Sequence, residues 1–131
     1  MKKVVREDLV YPELSYKIVG VLFDVHSEVG PGCHEKYYQN AIAVGFKNRG
    51  LVFEEQVYTP LIFEGSKVGS YFLDFLIEGK IVLEIKKGDR FSRSNIEQTL
   101  NYLKSNKLKL ALLANFGLTQ LKFKRIVNFD S

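Results

Sequence analysis

The spacing of apolar residues changes along this chain, and that change limits the fold more than any other feature. Over residues 12–29 the apolar residues recur at steps of three and four, which is typical of an amphipathic helix, and a similar pattern covers about residues 34–49. Gly30-Pro31-Gly32 separates the two segments, and Gly50 is suited to end the second. Two helices are therefore predicted before the first strand.

Short segments rich in Val, Ile, Phe and Tyr come next, and turn residues divide them as in an antiparallel meander. The predicted strands are residues 51–58, 61–64, 67–77 and 80–87, with Pro60, Gly65-Ser66 and Gly79 between them. Ser94-Asn95-Ile96-Glu97 fits a capping box and predicts a third helix that ends near Asn106. Residues 110–116 and 121–127 predict two further strands. The order ααβββ(β)αββ predicts an α+β fold, sandwich-like, with helices packed on a mixed β-sheet.

Length and composition fit a single domain over residues 1–131, since 46% of the residues are hydrophobic and no Gly/Ser- or Pro-rich linker interrupts the chain. Cys33 is the only cysteine, which excludes an internal disulfide, and with His26 and His34 it is too small a set for a tetrahedral zinc site. Neither a signal peptide nor a membrane span is evident, so we expect a cytoplasmic protein without a membrane partner. The net charge of +4 permits a polyanionic partner without requiring one.

Three charged residues, Asp74, Glu84 and Lys86, interrupt an otherwise apolar segment over residues 71–87. A three-residue loop at Ile77-Glu78-Gly79 would pair Leu76 with Lys80 and place residues of equal parity on the same sheet face. One face would then hold Leu73, Phe75, Ile77, Ile81, Leu83 and Ile85, and the other Phe72, Asp74, Leu76, Val82, Glu84 and Lys86. The hydrophobic pattern thus favours a register that clusters the charges.

Two neighbouring carboxylates and a lysine can form a catalytic site or a solvated strand face. At about 5 Å and an effective dielectric constant near 20, two like charges repel by roughly 3 kcal/mol, so the pair needs a proton, a cation or solvent. Mg²⁺ is bound by one or two carboxylates and can polarise a phosphodiester and activate a water. Lys86 would hold or deprotonate that water, or stabilise charge at phosphorus. Taken alone, Glu-x-Lys favours a solvated, salt-bridging face.

The arrangement Asp74…Glu84-Ile85-Lys86 resembles the motif of the PD-(D/E)XK nuclease superfamily, which implies a restriction-endonuclease-like αβββαβ core. Residues 32–38, Gly-Cys-His-Glu-Lys-Tyr-Tyr, are similar to the G-x-x-E-x-x-Y signature of its GxxExxY branch. The likeness extends through Val25-His26, Gly30-Pro31-Gly32, Gln98-x-x-x-Tyr102 and residues 112–117, and covers about residues 9–128. Leu73 replaces the usual Pro and leaves both carboxylates intact.

The resemblance implies a role for several residues. Asp74 and Glu84 would be the principal metal ligands, Lys86 the catalytic lysine, Glu35 an acidic residue that approaches the metal from its helix, and Gln98 a polar residue facing the site, with Tyr102 one turn later. Alternatives stay open: Glu35 also suits a helix N-terminus, and Gln98 and Tyr102 also suit a solvated helix face. Lys87, Arg90 and Arg93 flank this site, where they would contact a phosphate backbone or form an ordinary charged loop.

These residues predict a phosphodiesterase that depends on Mg²⁺ or Mn²⁺ and acts on nucleic acid, with DNA as the expected substrate. The alternative is a non-catalytic module that binds nucleic acid or a protein partner and retains a nuclease-like fold. The slight net charge and small size are compatible with this second function or with a homo-oligomer.

Overall fold

A computed structural model describes residues 10–129, which form three helices and five strands in the order ααβββαββ. The helices are α1 (Pro12–Val29), α2 (Glu35–Asn48) and α3 (Arg93–Asn106), and the strands are β1 (Phe53–Phe63), β2 (Ser66–Ile77), β3 (Ile81–Lys87), β4 (Leu110–Phe116) and β5 (Leu121–Val127). This is the predicted α+β arrangement. Among the helices within residues 10–129, none is long and apolar enough to cross a membrane.

The five strands form one mixed sheet in the order β1-β2-β3-β4-β5. Strands β3 and β4 are parallel, and the three other neighbouring pairs are antiparallel. Helix α3 makes the crossover that two parallel neighbours require. All seven residues of β4 are buried, as its continuous apolar sequence predicts for a strand that is covered on both faces.

Helices cover both faces of the sheet. The α1 and α2 side contains the larger apolar cluster, in which Tyr38, Phe46 and Phe75 are among the largest fully buried side chains. Gly45 lies in this layer, and a Cβ there would approach within 2.6 Å of Cγ1 of Val21, so glycine permits the close contact of the two helices. On the opposite face, α3 covers a smaller cluster that includes Val82.

Two predictions about the strands are wrong. Strand β1 continues through Pro60, because β1 is an edge strand, where proline is tolerated. The β2–β3 loop is Glu78-Gly79-Lys80, so Ile77 pairs with Ile81. Glu78 and Gly79 adopt the positive φ angles of 55° and 63° that the turn requires.

The cap of α3 also differs from the prediction. Ser92 is the N-cap residue, and its side chain accepts a hydrogen bond from the backbone N–H of Asn95 at 3.4 Å, so the predicted capping box at Ser94 is wrong. Phe91 and Ile96 flank this cap, and both pack on the smaller cluster. Apolar residues at these two positions favour Ser92 as the start of the helix.

Leu73 was predicted on the same face as Phe75, but it lies in the smaller cluster with Val82. The β1–β2 ladder omits the pair of Gln56 and Asp74, which lies between two regular pairs. Gln56 has φ 49°, in the left-handed region. This backbone irregularity breaks the alternation of β2, so Leu73 and Phe75 face opposite helical layers.

Candidate active site

Asp74 lies where β2 and β3 separate. The ladder between these strands begins at the loop and reaches only the pair of Phe75 and Leu83. Immediately beyond it, Oδ2 of Asp74 accepts a hydrogen bond from the backbone N–H of Ile85 at 2.7 Å. A carboxylate thus takes the position of the acceptor that the strand backbone would otherwise supply. The side chain is 9% exposed, so this bond is shielded from water.

Two glutamine side chains fix the other oxygen of Asp74. Nε2 of Gln39 donates to Oδ1 of Asp74 at 3.1 Å, and Oε1 of Gln39 accepts from Nε2 of Gln56 at 3.3 Å. Helix α2 and strand β1 therefore both hold the carboxylate in one orientation. Sequence reasoning missed both glutamines, although Gln39 is one helical turn after Glu35 and thus on the same helix face.

The carboxyl group of Asp74 lies close enough to Glu84 to shift the pKa of Glu84. The pKa of Glu84 is raised to about 9, mainly because the side chain is buried and further because the negative charge of Asp74 is nearby. Lys86 and the Asp74 backbone N–H act in the opposite direction with smaller effect. Near neutral pH and without a cation, the Glu84 carboxyl therefore holds a proton.

Lys86 joins Glu84 at a small cavity. Glu84 and Lys86 are two positions apart on β3, so they share a face of the sheet, and they pair with Leu113 and Asn115 of β4. The cavity has a volume of about 10 Å³ and is lined by Glu84, Lys86, Phe91, Ser92, Asn95, Leu113 and Asn115. An acidic residue, a lysine and an asparagine therefore line one small cavity between the sheet and the start of α3.

Two tyrosines connect this site to a wider cleft. Burial raises the pKa of Tyr71, and the charge of nearby Glu84 raises it further. Tyr71 and Tyr102 both line a cleft of about 570 Å³ between the β1–β2 hairpin and α3. Gln98 is half-buried one helical turn before Tyr102, on the same side of α3. The cleft is large enough for a ligand of nucleotide size.

Glu35 is the first residue of α2 and is half-buried. It is neither a hydrogen-bond partner of Asp74 nor a cause of the raised pKa of Glu84. Within residues 10–129, no group of three or more His, Cys, Asp and Glu side chains is arranged to hold a metal ion. The structure therefore brings Asp74 and Glu84 together as a pair and leaves Glu35 outside it.

Tyr38, the last residue of the segment 32–38 that contains Glu35, has a structural role. This fully buried side chain donates from its hydroxyl to the backbone oxygen of Gly30 at 2.6 Å and accepts from the backbone N–H of Cys33 at 3.2 Å. Tyr38 thus fixes the loop between α1 and α2. The start of α2, where Glu35 lies, is held by the same contacts.

The predicted phosphate-binding residues are exposed around the end of β3 and the start of α3. Nζ of Lys87 donates to the backbone oxygen of Gly32 at 3.4 Å. Arg93 forms an ion pair with Glu97 at 3.2 Å, and Arg90 lies in the segment between β3 and α3. Exposed cations near a carboxylate site are compatible with contacts to a nucleic-acid backbone.

The family model of the PD-(D/E)XK nuclease superfamily matches residues 12–126, which include all three helices and all of the strand residues above except Val127. The chain belongs to the PD-(D/E)XK nuclease superfamily. Its α+β fold, with a mixed five-stranded sheet, is the restriction-endonuclease-like fold that the sequence predicted.

A solved structure supports the fold of this PD-(D/E)XK protein. The crystal structure of SSO0001 is similar with a TM-score of 0.51 and 21% sequence identity, over 94% of this chain and 60% of that one. At this identity the likeness concerns the fold alone, and the chain spans about 60% of the length of SSO0001. No curated protein matches the sequence.

PD-(D/E)XK nucleases generally use divalent metals, and the residues present fit such an ion. Two carboxyl groups lie close together, and two negative charges at this distance need a proton or a cation to compensate them. A hard divalent cation, which prefers oxygen ligands, can compensate these charges in place of the proton.

Proposed function

We propose that this protein hydrolyses phosphodiester bonds of nucleic acid at a divalent metal ion bound by Asp74 and Glu84. The observation that carries the proposal is the buried carboxylate of Asp74, which two hydrogen bonds hold near Glu84, with Glu84 and Lys86 lining one cavity. Membership of the nuclease superfamily supports it independently.

A divalent ion bound there would polarise the phosphodiester and lower the pKa of an attacking water. Asp74 is oriented for binding by the backbone N–H of Ile85 and by Gln39, so its carboxylate needs little rearrangement. Glu84 would give up its proton in order to hold the ion as a carboxylate. Lys86 would stabilise the negative charge that develops on the phosphate oxygens, because it lies two residues after Glu84 on the same strand and lines the same cavity.

The remaining predicted residues have supporting roles in the proposal. Glu35 is proposed as a further metal ligand, because it shares a face of α2 with Gln39, which contacts Asp74. Gln98 and Tyr102 are proposed to contact the substrate from α3, beside the 570 Å³ cleft. The Lys87, Arg90 and Arg93 side chains would contact backbone phosphates.

Finer assignments remain part of the proposal. Residues 32–38 support the GxxExxY branch of the superfamily. DNA as the substrate, Mg²⁺ or Mn²⁺ as the ion, one domain over residues 1–131, a cytoplasmic location and a possible homo-oligomer stay predictions.

A second candidate is a nucleic-acid- or partner-binding module without catalysis. The separation of Glu35 from the carboxylate pair favours it, because the part of the chain that the structure describes has no cluster of three potential metal ligands. Such a module would bind nucleic acid without cleaving it.

Cleavage of labelled single- and double-stranded DNA and RNA, with Mg²⁺, Mn²⁺ or EDTA, tests the proposal. Glu84→Gln should abolish metal-dependent cleavage, whereas Glu28→Gln, a matched exchange at an exposed position of α1, should leave it unchanged. Binding without cleavage by the wild-type protein would select the second candidate. Wild-type cleavage rates from a folded Glu84→Gln protein would refute the site.

A further inference from the structure

Asn115 is the one polar residue of β4, whose sequence is Leu-Ala-Leu-Leu-Ala-Asn-Phe. Its side chain is 2% exposed, and its Nδ2 atom has no hydrogen-bond partner among residues 10–129. Burying an unpaired amide donor destabilises a fold, and an apolar residue of similar shape would avoid this cost. The presence of Asn115 is therefore not explained by the stability of the sheet.

The surroundings of Asn115 indicate a ligand for this donor. Asn115 pairs with Lys86 in the parallel ladder and lines the same cavity as Lys86 and Glu84. The cavity volume of about 10 Å³ is close to that of one water-sized sphere, and a bound water needs two to four polar partners. Here the Asn115 amide and the Lys86 ammonium can donate to a water oxygen, and Glu84 can accept from it.

We propose that Asn115 positions the attacking water in the phosphodiester hydrolysis proposed above, on which this inference rests. The amide N–H donates to one lone pair of the water oxygen and directs the other toward phosphorus. The water oxygen bonds to phosphorus as the bond from phosphorus to the leaving ester oxygen breaks. One water proton passes to solvent, and the leaving oxygen takes a proton from solvent. Asn115 itself neither gains nor loses a proton.

Asn128 offers a matched control, because it is also a buried asparagine, at 3% exposed, and lies just after β5. Its Nδ2 atom donates to the backbone oxygen of Leu108 at 3.0 Å. Leucine at Asn128 removes a formed hydrogen bond and should lower Tm by several degrees. Leucine at Asn115 removes an unpaired amide, and Tm should stay equal or rise.

Kinetics separate positioning from structure. Asn115→Leu and the isosteric Asn115→Asp should each lower kcat by about 100-fold, the scale for loss of one positioned donor, with little change in KM. The rise in Tm on adding Mn²⁺ should persist in Asn115→Leu. Asn128→Leu, assayed well below its Tm, should keep the wild-type kcat. If Asn115→Leu does not fold, Asn115→Asp and Asn115→Ala supply the same comparison.

Three results would overturn the inference. The first is a wild-type kcat in folded Asn115→Leu or Asn115→Asp, when Glu84→Gln is inactive; the proposed function would then stand without Asn115. The second is a loss of Tm in Asn115→Leu like that in Asn128→Leu with kcat unchanged, which would make Asn115 a structural residue. The third is absence of cleavage by the wild-type protein with every ion and substrate, which would remove the proposed function together with this inference.

Discussion

The carboxylate of Asp74 accepts a hydrogen bond from the backbone N–H of Ile85 at 2.7 Å, just beyond the last residue pair of the β2–β3 ladder. The Asp74 side chain therefore bonds β3 at the point where β2 stops pairing with it, and the same position places the Asp74 carboxylate beside Glu84. Asp74 has a structural role in closing the sheet as well as its proposed role in binding metal.

Asp74→Ala should be strongly destabilised. The exchange leaves two buried donors, the Ile85 N–H and the Gln39 amide, without their acceptor. At about 1–3 kcal/mol for each unpaired group, the free energy of unfolding should fall by roughly 2–6 kcal/mol. Urea unfolding measures this loss, and Glu28→Ala on exposed α1 should change stability by less than about 0.5 kcal/mol. Equal stability of the two variants would show that these bonds contribute nothing.

Stability without metal should fall as pH rises from about 5 to 9. Glu84 binds a proton in the folded state up to about pH 9 but loses it near its ordinary pKa of 4.5 when unfolded, so the folded state holds more protons over this range. The protonated Glu84 contributes its full stabilisation below about pH 4.5. As pH rises from there to about 9, this contribution to the free energy of unfolding is lost at up to about 1.4 kcal/mol per pH unit. Urea unfolding in EDTA across this range measures it. In Glu84→Gln this part of the slope should vanish, and an unchanged slope would contradict the assignment.

Mg²⁺ or Mn²⁺ should raise Tm. An ion that binds only the folded state stabilises it by about 2.7 kcal/mol at a hundred times Kd, which is a shift of several degrees for a domain of this size. Glu84→Gln lacks one ligand charge and should show a much smaller rise. Thermal unfolding at constant ionic strength, with Na⁺ as the matched cation, gives the comparison. No specific rise in the wild-type protein would favour a solvated surface.

Arg90→Ala should weaken binding to nucleic acid mainly at low salt. Removal of one ion pair between an arginine and a phosphate reduces the slope of log K against log salt concentration by about 1. Fluorescence anisotropy with the Glu84→Gln protein as background measures binding without cleavage. Lys17→Ala, on the exposed side of α1, should leave the slope unchanged. A slope that Arg90→Ala does not alter would exclude this side chain from the interface.

Local sequence signals predicted most of the fold. The bounds of α1 match the prediction at both ends, because Pro12 and Gly30 act within one turn of the helix. The loop of the β2–β3 hairpin was displaced by one residue, yet both registers keep residues of equal parity together, so the face of Val82 and Leu76 was predicted correctly. The face of Leu73 was predicted incorrectly, because it depends on the backbone irregularity at Gln56, which lies in the neighbouring strand β1.

The candidate site was predictable only in part. Alternation along β3 predicted correctly that Glu84 and Lys86 share a face and line one cavity. Asp74 lies at the irregularity of β2, where the ladder pair with Gln56 is missing, so alternation alone did not determine its place. Gln39 acts on Asp74 from 35 positions away in the sequence, and no local pattern reports such a contact. Asn115 likewise lies beside Lys86 only because β3 and β4 pair in parallel. That pairing depends on the α3 crossover, which a local sequence pattern does not reveal.

Proton release on metal binding tests the central claim, that Asp74 and Glu84 together hold a divalent ion. Because Glu84 holds a proton at pH 7 and a ligand must be deprotonated, binding of Mn²⁺ should release about one proton. Calorimetric titration with Mn²⁺ in two buffers of different ionisation enthalpy counts that proton. We expect about one proton released by the wild-type protein and none by Glu84→Gln. Binding without proton release, or equal release by both proteins, would contradict a metal site at this pair.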